Sequence, residues 1–197
     1  MYEARNSIYC YEGTNILVNK LGIKDSKLLE KYEKAMVALK LLSLEKQGIC
    51  GNFDINHLSK IHKFLFDEIY LFAGLFRTEN IAKDNFRFAE WEYIEDELIK
   101  LLERLKNENY LQNLNKQELA EKLSYYTAEL NVLHPFREGN GRTIREFIRQ
   151  LALKNNYYLN FNSVTPTELL NASITSVVDN TDLTNIMFKC LEKIKYN

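Results

Sequence analysis

Nine residues, His134-Pro-Phe-Arg-Glu-Gly-Asn-Gly-Arg142, gather an imidazole, a carboxylate, two guanidinium groups, one of the chain's two prolines and two of its seven glycines. His134 is the only side chain here whose ordinary pKa, about 6.5, lets it exchange a proton near neutrality, so it is the candidate general base. Glu138 offers a hard oxygen ligand, suited to a Mg²⁺ ion that takes most of its other ligands from phosphate and water. Gly139, Asn140 and Gly141 allow backbone N–H groups to converge on one point, because glycine accepts positive φ and has no Cβ to hold a ligand off. Arg142 and Arg145 are three apart, share a helical face and can reach along a polyphosphate. Each feature alone is ordinary: Gly-Asn-Gly makes a turn, and Arg145 and Arg149 can pair with Glu146 on a solvated face. Their conjunction describes a phosphate-handling site with a base placed to activate a hydroxyl for attack on phosphorus.

Such a site needs rigid elements on both sides. Apolar residues recur at three- and four-residue intervals along nearly the whole chain, and the few glycines and prolines fall between those stretches, so the protein is expected to be mainly α. Asp25 caps a first helix, to about residue 47, with Leu28, Leu29, Tyr32, Met36 and Leu39 inward. Asp54 caps a second carrying Leu58, Ile61, Leu65 and Ile69 and stopping near Gly74. A third runs from about Glu90 to Lys106, with Trp91, Ile94, Leu98, Leu101 and Leu105 buried. Asn115 and Glu118 form a capping box for a fourth, which carries Leu119, Leu123, Tyr126 and Leu130 and delivers the chain to His134. Pro135 ends it, Phe136 anchors the turn, and a fifth resumes near Arg142 with Ile144, Phe147, Ile148 and Leu151 as its stripe; its free N–H groups add to the attraction for phosphate. Thr165-Pro166 and Thr181 or Asp182 open two C-terminal helices within about residues 165–195. Phe76 to Ala89 breaks the helical period and reads as a small β-hairpin turning at Lys83-Asp84-Asn85.

At 197 residues with 46% hydrophobic content the chain can build a core and is expected to form a single domain, its centre at about residues 54–155. A formal charge of -1 supplies no global field for nucleic acid or an anionic membrane, so neither is expected as a partner and any anion must be held locally. Three scattered cysteines without a C-x-x-C pattern, and no apolar run behind a basic start, point to a cytoplasmic protein, with a translocated effector as the alternative. His57 and His62 are five apart, not the four that would put two metal ligands on one helical face, and are expected at the surface or the core edge.

The residues His134, Phe136, Glu138, Gly139, Asn140, Gly141, Arg142 and Arg145 resemble the Fic family motif His-x-Phe-x-(Asp/Glu)-Gly-Asn-Gly-Arg-x-x-Arg at every specified position. The similarity extends to Tyr11–Ile23 and Phe72–Ala89. It implies a compact Fic-type helical bundle with one hairpin flap, which transfers AMP from ATP with Mg²⁺ to a Tyr, Thr or Ser hydroxyl of a target protein and releases pyrophosphate. By this resemblance His134 deprotonates the hydroxyl and Glu138 holds Mg²⁺. Gly139 to Gly141 cradle phosphates with Asn140 adding a donor, and Arg142 and Arg145 hold the β and γ phosphates. The flap, with Ile81, Lys83 and Phe88, registers the target segment as an added strand. The Doc branch, which phosphorylates its target, departs from Gly-Asn-Gly-Arg and lacks the hairpin; a phosphocholine-transferring branch keeps a similar motif, so another phosphoryl-linked group is an alternative.

Relatives of this kind are restrained by a (Ser/Thr)-x-x-x-Glu-(Gly/Asn) helix whose glutamate pairs with the second motif arginine, here Arg145. Ser26 and Glu30 supply the spacing, with Lys31 in place of Gly or Asn, and are the candidate inhibitory pair; Thr175 and Asp179 are a weaker match. Otherwise inhibition falls to a separate antitoxin-like partner or is absent; a homo-oligomer is the alternative partner. Tyr9 and Tyr11 are candidate sites of self-modification. A catalytically idle Fic-fold module that senses nucleotide or binds protein is the competing class, and His134 argues against it because binding alone needs no base.

Overall fold

The protein, seen in a computed structural model that describes residues 7–83 and 86–195, is a helical bundle with two small antiparallel β-ribbons. Helix α1 spans Ser26–Gln47, with the Asp25 side chain accepting from the Leu28 N–H at 2.8 Å, and it stops where Gly48 turns to a φ of 64°. Helix α2 spans Ile55–Phe66 and is capped by Asp54. A short 3-10 turn, Trp91–Tyr93, leads into α3 (Ile94–Asn107); α4 (Lys116–Leu133) carries the Asn115/Glu118 capping box in both directions. Helix α5 is Asn140–Lys154. Helix α6 (Pro166–Thr175) has Thr165 as cap and proline in its first turn, where the missing N–H costs nothing, and α7 is Thr181–Cys190.

Helices α4 and α5 pack on one another, α2 lies against α5, and α7 covers α4. Between them lies a continuous core that includes Leu58, Ile61 and Leu65 of α2, Leu98 and Leu105 of α3, Leu123 and Leu130 of α4, and Phe147 and Leu151 of α5. The expected hairpin is present as β1 (Ala82–Lys83) paired with β2 (Phe86–Arg87); the turn residues Asp84 and Asn85 lie outside the described residues. A second ribbon, β3 (Tyr157–Leu159) with β4 (Leu191–Lys193), was not expected, because each of its strands is three residues long and lies too far from its partner in sequence to give a hairpin signal.

Several boundaries and faces differ from the sequence expectation. Helix α2 ends at Phe66, so Ile69 is buried from the loop that follows. Trp91 precedes α3 and is 38% exposed. Helix α5 begins at Asn140, two residues before Arg142. On α1, Leu28 and Leu39 are 54% and 62% exposed, and the inward stripe is Leu29, Glu33, Val37 and Leu44. Periodicity finds the helix but cannot choose between two partly apolar faces, and packing against α2 chose the one that carries Glu33. His57 and His62 are buried outright, each with both ring nitrogens engaged. Among the described residues no helix is long and apolar enough to cross a membrane.

Candidate active site

The site is the turn between α4 and α5. His134 is the C-cap of α4 in the left-handed conformation, φ 47° and ψ 60°, with its N–H donating to the Leu130 carbonyl at 3.0 Å. Its Nδ1 lies 3.1 Å from the Asn131 carbonyl. A carbonyl can only accept, so Nδ1 carries the proton and Nε2 bears the lone pair, the tautomer a general base requires. The Phe88 ring stacks on the imidazole, centroids 3.8 Å apart, and burial beneath it pushes the His134 pKa down to about 3. The imidazole is therefore neutral across the physiological range.

Phe136 is fully buried and stacks on His62, centroids 3.9 Å apart. The Gly74 N–H donates to His62 Nδ1 at 2.7 Å, so the ring proton sits on Nε2 and is donated to the Glu138 carbonyl at 3.0 Å. His62 thereby ties the loop after α2 to the motif turn, a role the sequence reading missed. Asn140 is also structural. Its Oδ1 accepts from the Phe136 N–H at 2.8 Å and its Nδ2 donates back to the Phe136 carbonyl at 2.6 Å, which commits one of the two N–H donors of its amide to the turn. A side chain 1% exposed and bonded twice to the backbone four residues earlier latches the turn shut.

The two glycines serve different needs. Gly139 has φ 79°, and a Cβ there would stand 2.2 Å from the Phe66 ring. Gly141 is helical, in the first turn of α5, where a Cβ would come within 3.3 Å of Arg145 Nη1. The left-handed Gly139 followed by the start of α5 turns successive N–H groups toward one concavity, and the helix end adds its positive dipole. Arg145 lines a small, mainly apolar pocket between α4, α5, α6 and α7, where Thr127, Asn131 and Ser173 stand beside Ile144, Leu169 and Met187. Desolvation and repulsion from Arg142 lower its pKa. Arg149, by contrast, grips the buried Glu146 through two hydrogen bonds of 2.7 and 2.8 Å, so that pair belongs to the interior and not to a wet face.

Glu138 accepts from the Gly139 N–H at 2.9 Å and lies 3.5 Å from Arg142 Nη2. Burial and then the nearby Glu33 push its pKa above the ordinary carboxylate value. Among the described residues no cluster of three or more His, Cys, Asp or Glu side chains could hold a metal unaided. A single carboxylate beside an anion nest nevertheless fits Mg²⁺, which keeps several waters and completes its octahedron on substrate phosphate.

The candidate inhibitory pair Ser26 and Glu30 faces solvent. Ser26 opens α1 on the solvent side, and Glu30 is exposed and bonded to Lys34 at 2.5 Å, one turn along the same face. Asp179 is spent on the Thr181 N–H and hydroxyl ahead of α7. The carboxylate that α1 does bring to the motif is Glu33, 2.6 Å from Arg142 Nη2. A charged residue at four-residue spacing within the stripe Leu29, Glu33, Val37 was the signal that could have found it. Lys83 is exposed on the flap, whereas Ile81 is buried and its carbonyl accepts from the Phe88 N–H at 3.3 Å. The Tyr9 hydroxyl is engaged by the Thr78 N–H at 3.0 Å, and that of Tyr11 donates to the Asn19 carbonyl at 3.4 Å.

Residues 52–152 match the model of the Fic/DOC family, more than half of the chain and the whole of the turn described above. The chain belongs to the Fic/DOC family. Relatives of this Fic chain include the protein adenylyltransferase VbhT of Bartonella schoenbuchensis, 41% identical over 95% of the chain. The chain spans 39% of the length of that protein. A probable protein adenylyltransferase Fic of Salmonella typhimurium is 36% identical, with 79% of this chain and 77% of that protein aligned. Among solved structures, BepC of Bartonella tribocorum with bound AMPPNP superposes with a TM-score of 0.89 at 27% identity, covering 95% of this chain and 97% of that one. The N-terminal Fic domain of a putative cell filamentation protein of Bartonella quintana with bound ADP gives 0.91 at 28% identity, covering 95% of each chain.

Proposed function

We infer that this chain transfers AMP from ATP to a hydroxyl side chain of a target protein. The observation that carries the reading is the His134 tautomer: the Asn131 carbonyl fixes the ring proton on Nδ1, which puts the basic lone pair on Nε2, beside an anion nest. A module that only bound nucleotide would have no use for a neutral imidazole held this way. Relatives named as protein adenylyltransferases, and Fic structures that hold AMPPNP and ADP, support the same substrate.

The triphosphate lies over the Gly139 to Gly141 turn at the start of α5, where the N–H groups of Asn140 and Gly141 face it, with Arg142 and Arg145 on its β and γ phosphates. Mg²⁺ bound at Glu138 supplies charge neutralisation on the phosphate oxygens. The target segment adds to the edge of the flap between Ile81 and Phe88, where Lys83 is exposed, and presents its hydroxyl to His134. As the oxygen bonds to the α phosphorus, its proton passes to Nε2; the bond from the α phosphorus to the bridging oxygen breaks, and pyrophosphate leaves with that electron pair. The three cysteines are free thiols, which supports a reducing cytoplasmic setting.

The test uses ATP labelled at the α or at the γ phosphate. Label at α is expected on target protein and label at γ is not. His134→Ala is expected to cut transfer by at least about 100-fold, the usual worth of a positioned base, while ATP still binds. Transfer of γ label, or full activity without the imidazole, would overturn the assignment.

A further inference from the structure

Glu33 is a buried carboxylate on the inward stripe of α1, 109 residues away in sequence from the arginine it meets. Its Oε1 accepts from Arg142 Nη2 at 2.6 Å, and its Oε2 accepts from the hydroxyl of Tyr70, itself 2% exposed. The Arg142 guanidinium also lies over the Phe66 ring, 4.8 Å from its centroid, the same ring that forbids a Cβ at Gly139. A long, flexible side chain is thus pinned by an ion pair and an aromatic face, at the point where the turn becomes helix. Arginine has five N–H donors, and the bond to Glu33 uses one of them.

We propose that Glu33 is a positioning residue for polyphosphate recognition, holding Arg142 in the orientation that meets the phosphates beyond the α position. The proposal rests on the nucleotide reading above. The geometry separates this role from that of a brake. A competing carboxylate must let go when phosphate arrives, but Glu33 is fixed by the Tyr70 hydroxyl and by the packing of α1 on α2, and most of the guanidinium donors remain for phosphate. Pre-orienting one arginine spares the cost of ordering it at the moment of binding.

The experiment measures ATP, ADP and AMP affinity by calorimetry with Mg²⁺ present, in a His134→Ala background that blocks turnover. Glu33→Ala is expected to weaken ATP and ADP about tenfold or more while AMP, which lacks the phosphates in question, changes less than about twofold; tenfold corresponds to about 1.4 kcal/mol. Glu33→Gln keeps an acceptor for Arg142 and is expected to recover part of the loss. Tyr70→Phe, which removes only the anchoring hydroxyl, should shift ATP in the same direction by less. Unchanged or tighter ATP binding in Glu33→Ala overturns the proposal, and so does an equal loss for AMP, which would make Glu33 a general support of the fold. A parent protein that binds ATP no better than AMP also overturns it. If the affinities follow the expected pattern but wild-type protein transfers no α label, the transferase reading falls and the role of Glu33 stands.

Discussion

Three histidines do three separate jobs here, and hydrogen-bond partners set each tautomer. His134 donates from Nδ1, His62 donates from Nε2, and His57 accepts from the Phe53 N–H at Nδ1. Burial holds both His62 and His134 neutral, with pKa values pushed down to about 3 from the ordinary 6.5. Between those limits the unfolded chain binds a proton on each that the folded chain refuses, so stability is full above about pH 6.5 and falls as the pH drops toward 3. Each histidine contributes a slope of about 1.4 kcal/mol per pH unit within that window. Thermal unfolding followed from pH 7 to pH 4.5 should show the loss, and His62→Gln should remove one histidine's share of the slope while lowering stability at pH 7. An unchanged slope in that variant would mean that the folded chain takes up a proton on His62 as readily as the unfolded chain does.

At the level of elements, the decisive piece is the junction of α4 and α5. Helix α4 ends in a left-handed residue, Asn140 bonds back to Phe136 on both sides of its amide, and α5 starts at once, so the turn has no slack. Gly139 is the tightest point, with a positive φ and the Phe66 ring where a Cβ would be. Gly139→Ala meets both obstacles. The backbone cost alone is about 1 to 3 kcal/mol, and the clash must be relieved by moving Phe66, on which Arg142 rests. Nucleotide binding should fall together with thermal stability. A variant that kept wild-type affinity would show that the nest does not depend on this conformation. Gly141 tolerates a methyl group better, since the nearest atom is the end of the flexible Arg145 side chain.

Across the whole molecule, Arg77 joins the flap to the site. It is 1% exposed, and its guanidinium donates to the carbonyls of His134 at 2.8 Å, Glu79 at 2.7 Å and Leu133 at 3.2 Å, and to that of Ala89. One side chain thus satisfies the end of α4 and both roots of the hairpin. A second clasp runs from Arg137 to Glu79 at 2.7 Å, with the Ser7 hydroxyl on the same carboxylate at 2.6 Å. Arg77→Met keeps the bulk but strands several buried carbonyls, at about 1 to 3 kcal/mol each where no water replaces the donor. Faster hydrogen exchange in the flap and at residues 130–134 is expected, with a lower melting temperature. Exchange confined to the flap would show that α4 is capped without Arg77.

The sequence by itself determined the helical class, the capped starts of α1, α2, α4 and α6, the hairpin, and the grouping of His134, Glu138, Arg142 and Arg145. All of these are local: caps act within one turn, apolar stripes repeat every three or four residues, and the motif lies on consecutive residues. Tertiary structure decided which face of α1 turns inward, and so put Glu33, not Glu30, at the motif. It also buried His62 and Arg77 as posts of the site. These outcomes depend on partners dozens of residues apart, and on the requirement that every buried donor and acceptor be matched, which no short window of sequence contains.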